Sequence, residues 1–158
     1  MATKLPLLVL SWLVFSAQLL GDDPKEDENK KELKRLEGTW KLQWFIDKDG
    51  KKARPEENKM MVIFTFKGDA LRVEMENDGR KIEDHPRIRV DASKTPRTLD
   101  FIATVGDAKG KTTMYAIYVL EGDTLKIFSS LEKRPTKFSS DPKKGDLGFF
   151  KRVKQKEK

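Results

Sequence analysis

The sequence predicts an all-β domain, an eight-stranded up-and-down antiparallel barrel preceded by a short helix. Two observations lead there. Apolar side chains recur with a period of two through most of the chain, as half-buried strands require. Short Gly, Asn and Asp turns separate these runs, so each strand joins the next without a long crossover. Consecutive antiparallel strands with one apolar face close most simply into a barrel, which also removes exposed edges. A two-sheet sandwich is the competing architecture.

The first segment reads as a processed leader. Lys4 supplies a positive start, residues 5–15 are apolar and uncharged, and the small residues Ser16, Ala17 and Gly21 precede Asp22-Asp23-Pro24. The apolar stretch is shorter than the roughly 20 residues of a spanning helix. Residues 1–21 are therefore expected to be a signal peptide, with cleavage after Ser16 or after Gly21; a retained signal anchor is the competing reading. Export to a periplasm or the cell exterior follows. No Cys stands after the apolar run, which excludes a lipid-modified N-terminus.

Residues 22–37 form a charged lead-in. Leu33 and Leu36, three apart, fit a short helix that begins near Asp23-Pro24 and stops at Gly38, with both leucines placed on the barrel mouth. The barrel domain spans 38–154. Its first strand covers 39–46, where Trp40, Leu42, Trp44 and Ile46 alternate with Thr39, Lys41, Gln43 and Phe45, and it ends at Asp47-Lys48-Asp49-Gly50. Residues 60–67 and 70–77 form a hairpin, with Leu71, Val73 and Met75 inward and Arg72, Glu74 and Glu76 outward. Asn77-Asp78-Gly79 turns into 80–83. Pro86, which cannot donate to a ladder, interrupts or ends that strand before Ile88 and Val90 resume the alternation. Strands over 98–104, 112–120, 124–129 and 147–153 complete the eight.

Composition bounds the function. The 158 residues suit one domain with one core. Export without Cys means that stability comes from the core alone. Residues 1–21 hold one basic residue and no acidic one, so the remainder keeps 32 basic against 26 acidic residues, a net of about +6. Much of the surplus closes the chain, in Lys151, Arg152, Lys154, Lys156 and Lys158, with 155–158 as a basic tail. Such a tail can touch anionic lipid, cell-wall polymer or nucleic acid. Neither a stacking platform nor a recognition helix accompanies it, so no specific nucleic-acid partner is expected.

A search for chemistry returns no constellation. With one His and no Cys, a Ser-His-Asp triad would rest wholly on His85, beside Pro86 in a strand end or loop. Zinc lacks its ligand set. Gly106-Asp107-Ala108-Lys109-Gly110-Lys111-Thr112 imitates a phosphate loop but is one residue short and leads into a strand rather than a helix. Asp47-Lys48-Asp49-Gly50 begins like a calcium loop, yet Met60 stands where the twelfth-position Glu belongs. Glu74 and Glu76 share a strand face, outside the barrel. No catalytic residue, cofactor or metal is expected.

Leu36-Glu37-Gly38-Thr39-Trp40 resembles the G-x-W signature of lipocalins and their relatives. In that calycin-like family the Trp packs across the closed end of the barrel under an Arg of the last strand. Gly38, Trp40 and Arg152 match those positions. A second resemblance spans nearly the whole chain after the leader. Phe66-Lys67-Gly68-Asp69, Asp91-Ala92-Ser93-Lys94-Thr95-Pro96, Ile117-Tyr118, Gly122-Asp123-Thr124-Leu125-Lys126 and Arg134-Pro135-Thr136-Lys137-Phe138-Ser139-Ser140 occur in order. The series is similar to a family of small exported lipocalin-like domains abundant in planctomycete bacteria. It implies fold and export, not chemistry. That pattern carries a polar residue where Val119 stands, a departure, and implies that Met114, Ala116, Tyr118 and Leu120 point inward.

What remains is the interior. Trp44, Phe64, Phe66, Phe101, Tyr118 and Phe149 are placed inward, where they either line a pocket for a small apolar ligand or fill the barrel outright. The first case is a non-catalytic exported binding module, a monomer with an apolar ligand. The second is a cell-envelope interaction or inhibitory module, using residues 133–145 and the basic tail against an envelope protein or polymer. An enzyme is the third class.

Overall fold

A computed structural model describes residues 23–154. The leader over 1–21 and the tail over 155–158 lie outside the described residues.

Helix α1 (Pro24–Leu36) opens the chain. The Asp23 carboxylate accepts a hydrogen bond from the Lys25 N–H at 3.0 Å, and Pro24 occupies the first turn, where no N–H is needed. Glu26 and Asp27 at its start and Lys34 and Arg35 at its end match the helix dipole. Leu36 is fully buried in the core and Leu33 packs against it. These leucines share a cluster with Trp40 and Tyr118, so the helix seals one end of the barrel instead of flanking its mouth.

The strands are β1 (Gly38–Ile46), β2 (Lys52–Ala53), β3 (Met60–Lys67), β4 (Ala70–Asn77), β5 (Arg80–Asp84), β6 (Arg87–Asp91), β7 (Arg97–Ile102), β8 (Thr112–Glu121), β9 (Thr124–Ser130) and β10 (Asp146–Arg152). Every pairing is antiparallel and follows chain order, and β1 pairs with β10 to close the ring. The ten segments make eight staves. β2 only extends the hairpin after β1, and β5 and β6 are two halves of one stave against β4, divided at Pro86. The Leu71 N–H reaches the Pro86 carbonyl at 3.0 Å, so pairing resumes beyond the break. The protein is an eight-stranded up-and-down antiparallel barrel with a short N-terminal helix.

Alternation is broken once in β1, with consequences. Leu42 is opposite Phe150 and Trp44 is opposite Phe149, so Gln43 is an extra residue, a bulge. One inserted residue inverts every side chain that follows it. Trp40 and Leu42 point inward before the bulge; after it Phe45 packs on the interior, Trp44 faces out, and Ile46 at the strand end, while reaching the rim of the hollow, packs on the outer side. There they meet a second apolar cluster, Ile117, Phe128 and Leu147, on the outer surface of β8, β9 and β10.

Residues 131–145, between β9 and β10, cover that outer cluster. Phe138 packs on it, and the Lys126 ammonium lies 4.6 Å from the Phe138 ring centroid. Arg134 Nη2 lies 2.6 Å from Oδ1 of the buried Asp100, too poorly angled for a hydrogen bond, so that contact is ionic. Asp100 Oδ2 accepts from Arg89 at 3.0 Å. The segment returns at Gly145, with φ of +148°, where a Cβ would sit 2.2 Å from the Ser129 carbonyl oxygen. Only glycine fits that approach.

A candidate ligand site in the barrel

The barrel has a sealed end and a hollow end. At the sealed end Trp40 is fully buried and its indole N–H donates to the Leu36 carbonyl at 2.8 Å. The Arg152 guanidinium lies 4.1 Å from the Trp40 ring centroid, donates to the carbonyls of Glu37 and, at 2.8 Å, of Arg35, and pairs with Asp123 at 3.2 Å. Gly38 has φ of +115°, and a Cβ there would lie 2.9 Å from Arg152 Nη1. Gly38, Trp40 and Arg152 therefore meet at the sealed end.

Beside them is a buried polar knot. Glu32 of α1 accepts from the Tyr118 hydroxyl at 3.2 Å and from Arg35 at 2.7 Å, and Arg97 lies 3.4 Å away. Burial, reinforced by the Glu32 carboxylate, holds the Tyr118 phenol far above its ordinary pKa. The neutral Tyr118 hydroxyl is thus the donor to the Glu32 carboxyl group.

The other half of the barrel holds a cavity of about 500 Å³, within the range of small-molecule pockets. Its wall comes from the later half of β1 (Leu42, Phe45), the start of β3 (Met60, Val62, Phe64) and the end of β4 (Val73, Met75). Phe101, Met114, Ile127 and Phe150 complete it from β7 to β10. Polar groups are few: Thr113 and Ser129, with Asp84 and Asp146 at the exposed rim. Phe64 stacks on Phe150 at 4.7 Å and meets Phe101 edge-on at 6.4 Å, which fixes the aromatic part of the wall.

Of the six interior aromatics expected from the sequence, two line this cavity, Phe64 and Phe101. Phe66 and Tyr118 are buried in the sealed half. Trp44 and Phe149 must be corrected: they stack on each other at 5.3 Å outside the barrel, with Lys52 4.5 Å over the indole. The bulge at Gln43 turned Trp44 out, and Phe149 faces out by the plain alternation of β10, in which Arg152 and Phe150 are the inward residues. Phe45 and Phe150 take their places inside, and nothing in the alternation of β1 marks the switch. Met75 lines the cavity while 38 % exposed, as expected of an inward residue at an open rim. Met114, Ala116, Tyr118 and Leu120 all belong to the interior cluster, and Val119 faces out.

The weaker chemical motifs resolve into local structure. His85 is exposed, with Nε2 2.9 Å from Glu83, which Arg72 grips with two nitrogens. Asp47 Oδ1 accepts from the Asp49 and Lys51 N–H groups, a turn. Residues 106–112 lead into β8. Glu74 and Glu76 pair with Arg72 and Lys81. Among the described residues no three of His, Asp and Glu converge to hold a metal, and no helix is long and apolar enough to cross a membrane.

No protein-family model matches the chain, and no curated protein does. Two solved structures are similar along most of its length. One is a Schistosoma mansoni fatty acid binding protein in complex with arachidonic acid, 14 % identical with a TM-score of 0.38, covering 77 % of this chain and 98 % of that one. The other is Echinococcus granulosus fatty-acid-binding protein 1, 15 % identical with a TM-score of 0.37, covering 77 % and 99 %.

Proposed function

We propose that this protein is a non-catalytic, exported binding module whose barrel takes one small apolar ligand through the end opposite Trp40. The observation that supports it is the cavity of about 500 Å³, walled by Phe, Met, Leu, Val and Ile side chains inside a barrel sealed at its other end. Desolvating an apolar molecule against such a wall stabilises the complex by about 25 cal/mol per Å² removed from water. Export rests on the character of residues 1–21, and kinship with the small exported planctomycete domains rests on the ordered segments quoted above.

Titration with a neutral apolar fluorophore, N-phenyl-1-naphthylamine, tests the reading. Saturation near one probe per chain is expected. Val73→Trp, which fills the cavity, and Phe64→Ala, which reshapes its wall, each shift the affinity by about tenfold or more. Trp44→Ala, outside the barrel, lowers stability and leaves the affinity of the folded protein unchanged. Absence of binding, or saturable binding indifferent to both wall substitutions, rejects the cavity as the site.

A further inference from the structure

Resting on that reading, we infer that the ligand carries a cationic head group on its apolar body, an amine or quaternary ammonium and not a carboxylate. The inference comes from which polar groups line the cavity. No Lys, Arg or His is among its lining residues, although the chain holds 33 Lys and Arg. Its charged groups are two carboxylates, Asp84 and Asp146. Neither forms an ion pair with any described residue; Asp84 accepts one backbone hydrogen bond, from the His85 N–H at 2.8 Å. Elsewhere in the protein acids are commonly matched: Asp69 with Arg87 and Glu83 with Arg72 on the surface, and the buried Asp100 with Arg89 and Arg134.

The neutral part of the wall points the same way. Phe45, Phe64, Phe101 and Phe150 line it, and the negative quadrupole of an aromatic ring attracts a cation within about 6 Å of its face and does nothing for an anion. Met60, Met75 and Met114 add polarisable thioethers that adapt to an irregular guest. A carboxylate drawn into this cavity would lose hydration and find two hydroxyls, Thr113 and Ser129, and no compensating charge. An ammonium would meet aromatic rings along the wall and carboxylates at the rim. The net charge of +7 works against this preference at long range, so a cation selected by the cavity is selected by its lining and not by bulk attraction.

The test displaces N-phenyl-1-naphthylamine from the purified protein with two amphiphiles of one chain length, dodecyltrimethylammonium and dodecanoate, each below its self-association concentration. The cation is expected to compete at about tenfold lower concentration, equivalent to 1.4 kcal/mol. In the Asp84→Asn, Asp146→Asn double variant that ratio falls to within about threefold of unity while the affinity for the neutral probe is unchanged. Dodecanoate competing equally or better overturns the inference and leaves the apolar cavity standing. A cationic preference left undiminished in the double variant supports a cationic guest held by the aromatic wall and overturns the part assigned to the two carboxylates. Failure of the neutral probe to bind removes the cavity reading itself, and this inference with it.

Discussion

The Arg152 guanidinium caps the Trp40 indole, at 4.1 Å from ring centroid to guanidinium carbon, and ties the last strand to the helix that precedes the first. Because Trp40 is fully buried under it, Trp40→Ala costs about 3–5 kcal/mol, the range for an aromatic lost from a core. Arg152→Ala costs less, since its side chain is partly solvated. Gly38→Ala is strained by both its φ and the nearby guanidinium. Urea titration checks the order; a Trp40→Ala variant within 1 kcal/mol of the parent would mean the closed end does not depend on this stack.

Tyr118 predicts an alkaline limit. Its phenol is raised in the folded state, so folded and unfolded chains both keep the proton below the unfolded value near pH 10, and there its contribution is complete. Above that pH the unfolded phenol ionises first and stability falls. Tyr118→Phe removes this part of the slope, at a cost of about 1–2 kcal/mol at pH 8 for the donor lost to Glu32. Unfolding midpoints of the two proteins from pH 8 to 11 converge if this is right, and run parallel if it is wrong.

Asp100 holds the long segment 131–145 to the barrel wall through Arg134. Asp100→Asn keeps the shape and removes the charge, costing about 1–3 kcal/mol. The sharper readout is local. Trypsin cuts at Lys133, Lys137 or Lys143 faster in the variant, well before global unfolding. Equal cleavage rates would assign the docking of this segment to Phe138 and its apolar neighbours instead.

Export predicts a mass. Protein recovered from outside the producing cell lacks the first 16 or 21 residues, which intact mass spectrometry reads directly. A soluble, exported form that retains Met1 to Leu20 would refute the processed leader.

Much of the fold is local information and was legible in the residues. Period-two alternation in β4 put Leu71 and Val73 inside and Arg72 and Glu74 outside, because successive side chains of a strand must point oppositely. Turn residues at 67–69, 77–79 and 121–123 set the strand boundaries, and Gly38-Thr39-Trp40 located the sealed end. Three facts needed the tertiary structure. The bulge at Gln43 is set by how β1 fits against β10, and it turned Trp44 out and Phe45 in, beside Phe149 on the outer face of β10. The depth of Tyr118 and Phe66 depends on which end α1 covers, which alternation along a strand does not encode. The hollow itself is the space that facing side chains leave, a difference between the size of the ring and the volumes within it. Alternation determined the two faces of a strand such as β4; only the closed ring decided whether the interior is full.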